Sequence, residues 1–193
     1  MINIQKINSS EDSNPLSQSI HSQSESSASI NQSLSNNSKS DNYLDIRKLT
    51  WDDFQGIPPE DDPALAHTKW KIGYNYQVHH DADKIQVMVD VWCKIDPSSW
   101  TKDKTIDELL HHQQGHFYIG MICALEFKKR VQEFSFSKDY KQEISEIFNK
   151  SLQEYLMMEN KYNIETLNML NTAKQRQWDM KIMKQLNSLS KYT

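Results

Sequence analysis

The sequence predicts an α+β domain in which a small antiparallel sheet packs with a histidine-bearing helix and long C-terminal helices. Three observations carry this. Trp70, Ile72, Tyr74, Tyr76 and Val78 alternate with polar or small residues, and the run from Ile85 to Ile95 alternates in the same way. From Ile106 the apolar spacing lengthens to that of a helix, and after Gly120 no glycine or proline interrupts a helical pattern that reaches about Leu189. Period two marks half-buried strands, and a period near 3.6 marks amphipathic helices.

In chain order, residues 1–43 read as a disordered tail. Ser, Asn and Gln dominate it and no aromatic residue occurs from Met1 to Asn42, so it cannot bury enough apolar surface to offset the entropy of ordering its backbone. Residues 44–193 form the domain. Its opening block, Leu49-Thr50-Trp51-Asp52-Asp53-Phe54, runs into the turn signal Gly56-Ile57-Pro58-Pro59. The two alternating runs are joined through His79-His80-Asp81-Ala82-Asp83, which makes a hairpin the simplest connection and leaves His79 and His80 at the surface. Trp70, Tyr74 and Tyr76 belong to the core face.

The first helix is predicted from Ile106 to about Glu133, opened by a Thr105/Glu108 capping box. At 100° per residue, Leu109, His112, His116, Ile119, Cys123 and Phe127 share one stripe, which places two histidines on the inward face. Cys93 lies in a strand pattern and Cys123 in a helix pattern, so two buried thiols are expected rather than a disulfide. The last helical stretch, with apolar positions from Ile144 to Leu186, would be roughly 75 Å long if unbroken. That is too long for a domain of this size, and the break is expected around Glu159 to Asn163.

Several function classes are disfavoured. The net charge is −4, and the one basic run, Lys128-Lys129-Arg130, reads as a solvated helix end, so no nucleic-acid partner is expected. No run of about 18 apolar residues predicts a transmembrane segment. The N-terminal residues lack a Sec-type apolar region, which points to a cytoplasmic protein or to export by a specialised system. A protein or peptide partner fits better.

The chemistry concentrates in His112-Gln113-Gln114-Gly115-His116. A His-x-x-x-His pair on a helix sets two imidazoles one turn apart, close enough to share a tetrahedral Zn²⁺. In the common H-E-x-x-H arrangement the intervening glutamate is the general base. Here that position is Gln113, which forms hydrogen bonds but takes no proton at neutral pH. Spacing alone leaves an ordinary core or surface pair as the alternative.

The surrounding sequence adds a resemblance. LLHHQQGHFYI resembles the LLxHEQGHFDI signature of a bacterial family described as secreted zinc-dependent proteases. LTWDDFQGIPP is similar to that family's opening block, and SSW matches its Ser-Trp before the helix. NKYNIETLNMLNTAKQRQWDMKI resembles its YDxETxHG…Q..W…I. The resemblance spans residues 49 to 186. It implies a zincin-like active-site helix, His112 and His116 as zinc ligands, and Trp51, Phe54 and Trp178 as framework. Relative to the family pattern a glutamate has become Gln113, an aspartate Tyr118, a second aspartate Asn163 and a histidine Asn168. Each change removes an ionisable group.

For the third ligand the resemblance implies a carboxylate on a later helix. Glu165 fits, with Glu126 as competitor on the histidines' own helix. His111 points about 100° from the stripe, toward solvent or an outer shell. Three functions follow: a metal-binding pseudo-peptidase that acts by binding, an active zinc endopeptidase using another base, and a metal-free helical partner-binding module.

Overall fold

A computed structural model describes residues 46–81 and 84–193; the expected tail at 1–43 lies outside them. After a single helical turn at Trp51–Asp53, the order is β1 (Ala66–His67), β2 (Trp70–Asp81), β3 (Lys84–Ile95), β4 (Trp100–Thr101), α1 (Asp107–Glu133), α2 (Tyr140–Thr166) and α3 (Thr172–Leu189). The class is α+β, as the periodicities require. β2 pairs antiparallel with β3, and the short β1 pairs antiparallel with β4.

The hairpin register explains its alternation. Ile72 faces Cys93, Tyr74 faces Val91, Tyr76 faces Val89 and Val78 faces Val87. All eight therefore lie on one face, and Ile72, Tyr74, Val87, Val89, Val91 and Cys93 are buried there. His79 and His80 are exposed, at the end of β2 rather than in a loop.

That face packs on α1, which also contacts α2 and α3 and is the central element. Ile119, Met121, Ile122, Cys123 and Leu125 are wholly buried, so the middle of α1 is apolar all round, as a helix enclosed by neighbours must be. Phe127 packs between Tyr74 and Phe148, with ring centroids 4.8 and 5.2 Å away. Cys93 and Cys123 are free and buried, and burial raises both thiols, Cys123 to about 12. Both are therefore inert.

Two local expectations are corrected. Thr105 does not cap α1: its amide and hydroxyl both donate to Asp103 Oδ1, and the helix starts after Ile106 with no side-chain cap. The C-terminal helical stretch does break, but at Leu167–Asn171 and not at Glu159–Asn163. Glu159 and Tyr162 are both buried against the rest of the domain, which holds α2 helical through them. The chain then turns through three left-handed residues, Leu167 (φ 50°), Asn168 (φ 51°) and Met169 (φ 85°). None is glycine, so the usual marker is missing, and only Asn168 is of a type that takes this conformation readily. Asn171 restarts the helix, its side chain accepting from the Lys174 amide.

Along α2 and α3, Ile144, Phe148, Tyr155, Tyr162, Ile182 and Leu186 are buried within the domain. The stripe that a helical docking module would have to display is thus mostly internal. Among the described residues no helix is long and apolar enough to cross a membrane.

Candidate functional site

The first turns of α1 form the floor of a cleft of about 270 Å³. One wall is the segment 63–68, including β1, and the other is the left-handed turn 167–170. His112, Gln113 and His116 line it, together with Glu159 and Asn163 from α2. The three α1 side chains are nearly inaccessible, at 1%, 4% and 5% exposure. Buried polar groups cost free energy unless paired, and each of these is paired from another element.

Gly115 makes the arrangement sterically feasible. A Cβ there would lie 2.3 Å from the Tyr162 hydroxyl. Without one, Tyr162 stacks on the His112 ring, at 4.7 Å and 17°, and its hydroxyl donates to the His112 carbonyl at 3.0 Å. A glycine inside a helix costs about 1 kcal/mol relative to alanine; here the close approach of Tyr162 requires it.

The orientation of each imidazole follows from its partners. The Asp179 carboxylate can only accept, so the Gln175 amide turns its Nε2 toward Asp179 Oδ1 (2.9 Å) and the Tyr162 hydroxyl (2.7 Å). Gln175 Oε1 is then left to accept from His112 Nδ1 at 3.0 Å. On the other ring, His116 Nδ1 donates to Glu159 Oε1 at 2.9 Å, an oxygen that also accepts from the Trp70 indole at 3.1 Å. Both Nδ1 atoms therefore carry hydrogen, and both Nε2 atoms present lone pairs in the neutral rings. Those Nε2 atoms lie 3.3 Å apart. Two facing lone pairs repel unless a proton or a metal cation lies between them. Burial, then the neighbouring His116, pushes His112 down to about 4, against the opposing effect of the nearby Gln175 and Asn163 carboxamides, which would favour the protonated ring. The ring is neutral at physiological pH.

Gln113 is fixed differently. The Thr68 amide and hydroxyl donate to its Oε1 at 3.0 and 2.9 Å, tying the side chain to the strand segment beside the cleft. Gln114 clamps the opening block: the Leu49 amide donates to its Oε1 at 2.5 Å and its Nε2 donates to the Arg47 carbonyl at 3.3 Å. Ser99 of the SSW block is buried and bonds both backbone groups of Lys69.

Of the sequence-predicted site residues, His112, Gln113 and His116 come together and Glu165 does not join them. Its Oε2 accepts from the Trp178 indole at 2.9 Å, and Lys161 lies 3.7 Å away. Residues two positions apart in a helix are separated by about 200°, so with Asn163 facing the cleft, Glu165 faces away. Glu126 bridges to Lys129 and Arg130 instead. His111 is largely exposed and bonds Asp179 at 3.0 Å. Sequence reasoning missed Glu159, Gln175, Asp179, Thr68 and His67. Glu159 was readable as the carboxylate one turn before Asn163, and Gln175 stood inside the matched Q..W block. His67 lines the cleft, and burial, then Lys69 and His116, lowers its pKa.

Among the described residues no group of three or more histidine, cysteine, aspartate and glutamate side chains is gathered as a cation site. The two imidazole nitrogens match two of the four positions around a tetrahedral ion. A tetrahedral ion with Zn–N bonds of about 2.0–2.1 Å holds two nitrogens about 3.3 Å apart, which is the separation found. Behind His116 stands the Glu159 carboxylate, the kind of outer partner that metal-bound histidines use, and behind His112 the Gln175 carboxamide.

No curated protein and no solved structure matches this chain. A protein-family model does match, over residues 42–169, and it ends within the turn before α3. The matched span covers most of the chain and contains the opening block, the hairpin, α1, α2 and the cleft floor, so this chain belongs to the family described as bacterial protein of unknown function (DUF922).

Proposed function

We propose that this protein is a zinc-peptidase-like pseudoenzyme, in which His112 and His116 hold a metal ion and the cleft acts by binding a protein or peptide rather than by turning it over. The observation that carries the reading is the pair of converging Nε2 atoms on the cleft floor, next to a general-base position filled by Gln113. Zinc, when bound, would supply Lewis acidity there. The chain's own groups orient the imidazoles through Glu159 and Gln175 and offer no carboxylate at position 113. Loss of a general base typically lowers rate about 10²–10⁴-fold.

Elemental analysis and a proteolysis assay on an unstructured protein test this together. Wild type should carry about one zinc per chain, His112→Ala should carry none, and neither should cleave the substrate appreciably. Gln113→Glu should fold normally, because Thr68 can donate the same two bonds to a carboxylate oxygen. It should raise activity only in part, since Tyr118, Asn163 and Asn168 also depart from the family pattern. Strong chelator-sensitive proteolysis by wild type, abolished in His116→Ala, would sink the pseudoenzyme reading.

One observation favours a second reading, an active zinc endopeptidase. His67 lines the same cleft, and burial, then Lys69 and His116, lowers its pKa, so an uncharged imidazole stands there. Under that reading His67→Ala abolishes the proteolysis while zinc content is unchanged.

A further inference from the structure

We infer that the third protein donor of this metal site is the Asn163 carboxamide oxygen, so that the site is a neutral two-imidazole, one-amide centre for a zinc-class cation. The inference rests on reading the histidine pair as a metal site, and it replaces the carboxylate expected at Glu165.

Three observations lead to it. Asn163 Oδ1 lies 3.3 Å from His112 Nε2, the same separation as between the two imidazole nitrogens. Both distances match the donor–donor edge around a tetrahedral ion with bonds near ~2.0–2.1 Å. Asn163 also lines the cleft and is half-buried, so its amide stands at the mouth of the pair and not behind it. Finally, it sits one helical turn after Glu159, and residues four apart share a face.

The two residues of α2 thus have different tasks. Glu159 Oε1 is held by His116 Nδ1 and the Trp70 indole, on the side of the ring opposite the converging nitrogens. It orients a ligand. Asn163 reaches the converging nitrogens themselves. As found, Oδ1 faces the His112 Nε2 atom, the orientation a cation would use. A half-turn of the amide would instead let Nδ2 donate to that lone pair. The same side chain satisfies the site in both states, which a carboxylate facing a lone pair cannot do.

An amide oxygen brings no charge, so the assembled centre keeps the full charge of the cation. Such a site should bind less tightly than one completed by a carboxylate, because charge count among the ligands sets affinity for a divalent ion.

The test is Zn²⁺ affinity of the full chain by competition with a chromophoric chelator, together with the visible absorption of the Co²⁺-loaded protein. Wild type, Asn163→Ala, Asn163→Asp and His116→Ala are compared, with folding followed by circular dichroism. Asn163→Ala should weaken Zn²⁺ at least about tenfold and Asn163→Asp should tighten it by a similar factor, and the Co²⁺ band should shift in both. If wild type binds Zn²⁺ through His116 but both Asn163 variants match it in affinity and spectrum, the Asn163 assignment is overturned and the metal reading survives. If wild type binds no Zn²⁺, or binds it as well in His116→Ala, both fall. Should the alanine variant misfold, the nearly isosteric aspartate variant decides the matter alone.

Discussion

The two halves of α1 are built by different rules. From Ile119 to Val131 the helix buries Ile, Met, Cys, Ala, Leu, Phe and Val, and any apolar neighbour of the right shape satisfies them. From Leu109 to His116 it buries two histidines and a glutamine just as deeply. Each of those needs a specific partner: Gln175 on α3, Glu159 on α2, Thr68 beside β1. A domain gains stability more cheaply from the first kind of burial, since polar groups buried without partners cost about 1–3 kcal/mol each. The second kind is gathered at the cleft floor, where each polar group depends on a partner from another element.

The contrast can be broken most forcefully in the apolar half. Phe127→Ala removes a ring held between Tyr74 and Phe148 and should destabilise the domain by about 3–5 kcal/mol in urea denaturation. Zinc affinity of the folded protein should be unchanged. A parallel loss of zinc binding would mean that the halves are not separable.

Acid should attack the polar half. His112 protonates near 6.5 in the unfolded chain but only near about 4 when folded. Between those values the unfolded state binds more protons, so the stability of the metal-free protein falls as pH drops from about 6.5 to 4, by roughly 3 kcal/mol in full. Denaturation curves in chelator across that range should show the slope, and His112→Gln should flatten it. An equal slope in the variant would assign the effect to other groups.

Gly115→Ala tests the seat of Tyr162. Alanine favours a helix, yet its methyl group would displace the Tyr162 hydroxyl, so a net loss of about 1–3 kcal/mol is expected. Zinc affinity should weaken alongside, because the ring stacked on His112 moves. Unchanged melting would show that Tyr162 shifts at no cost.

The smallest effect is expected at the cleft wall. Met169 holds φ at 85° without being glycine, a conformation that costs an L-residue roughly 1–2 kcal/mol. Met169→Gly should relieve it, offset by about 0.4–1 kcal/mol of added unfolded-state freedom. A rise in melting temperature equivalent to at most about 1.6 kcal/mol should follow, with both halves of α1 intact. A fall would show that the Met169 side chain holds the wall.

The sequence by itself determined the hairpin, the span of α1, the inward stripe bearing His112 and His116, and the absence of a carboxylate at position 113. Those features depend on residues two to four apart, and periodicity records such neighbours directly. Only the tertiary structure decided that Glu159 reaches the site while Glu165 turns to Trp178, that Asp179 sets the His112 tautomer through Gln175, and that α2 ends in left-handed residues without glycine. These outcomes depend on the rotational phase of one helix against another. That phase is set by how Tyr162, Trp178 and Gly115 pack together, not by any spacing within a single segment.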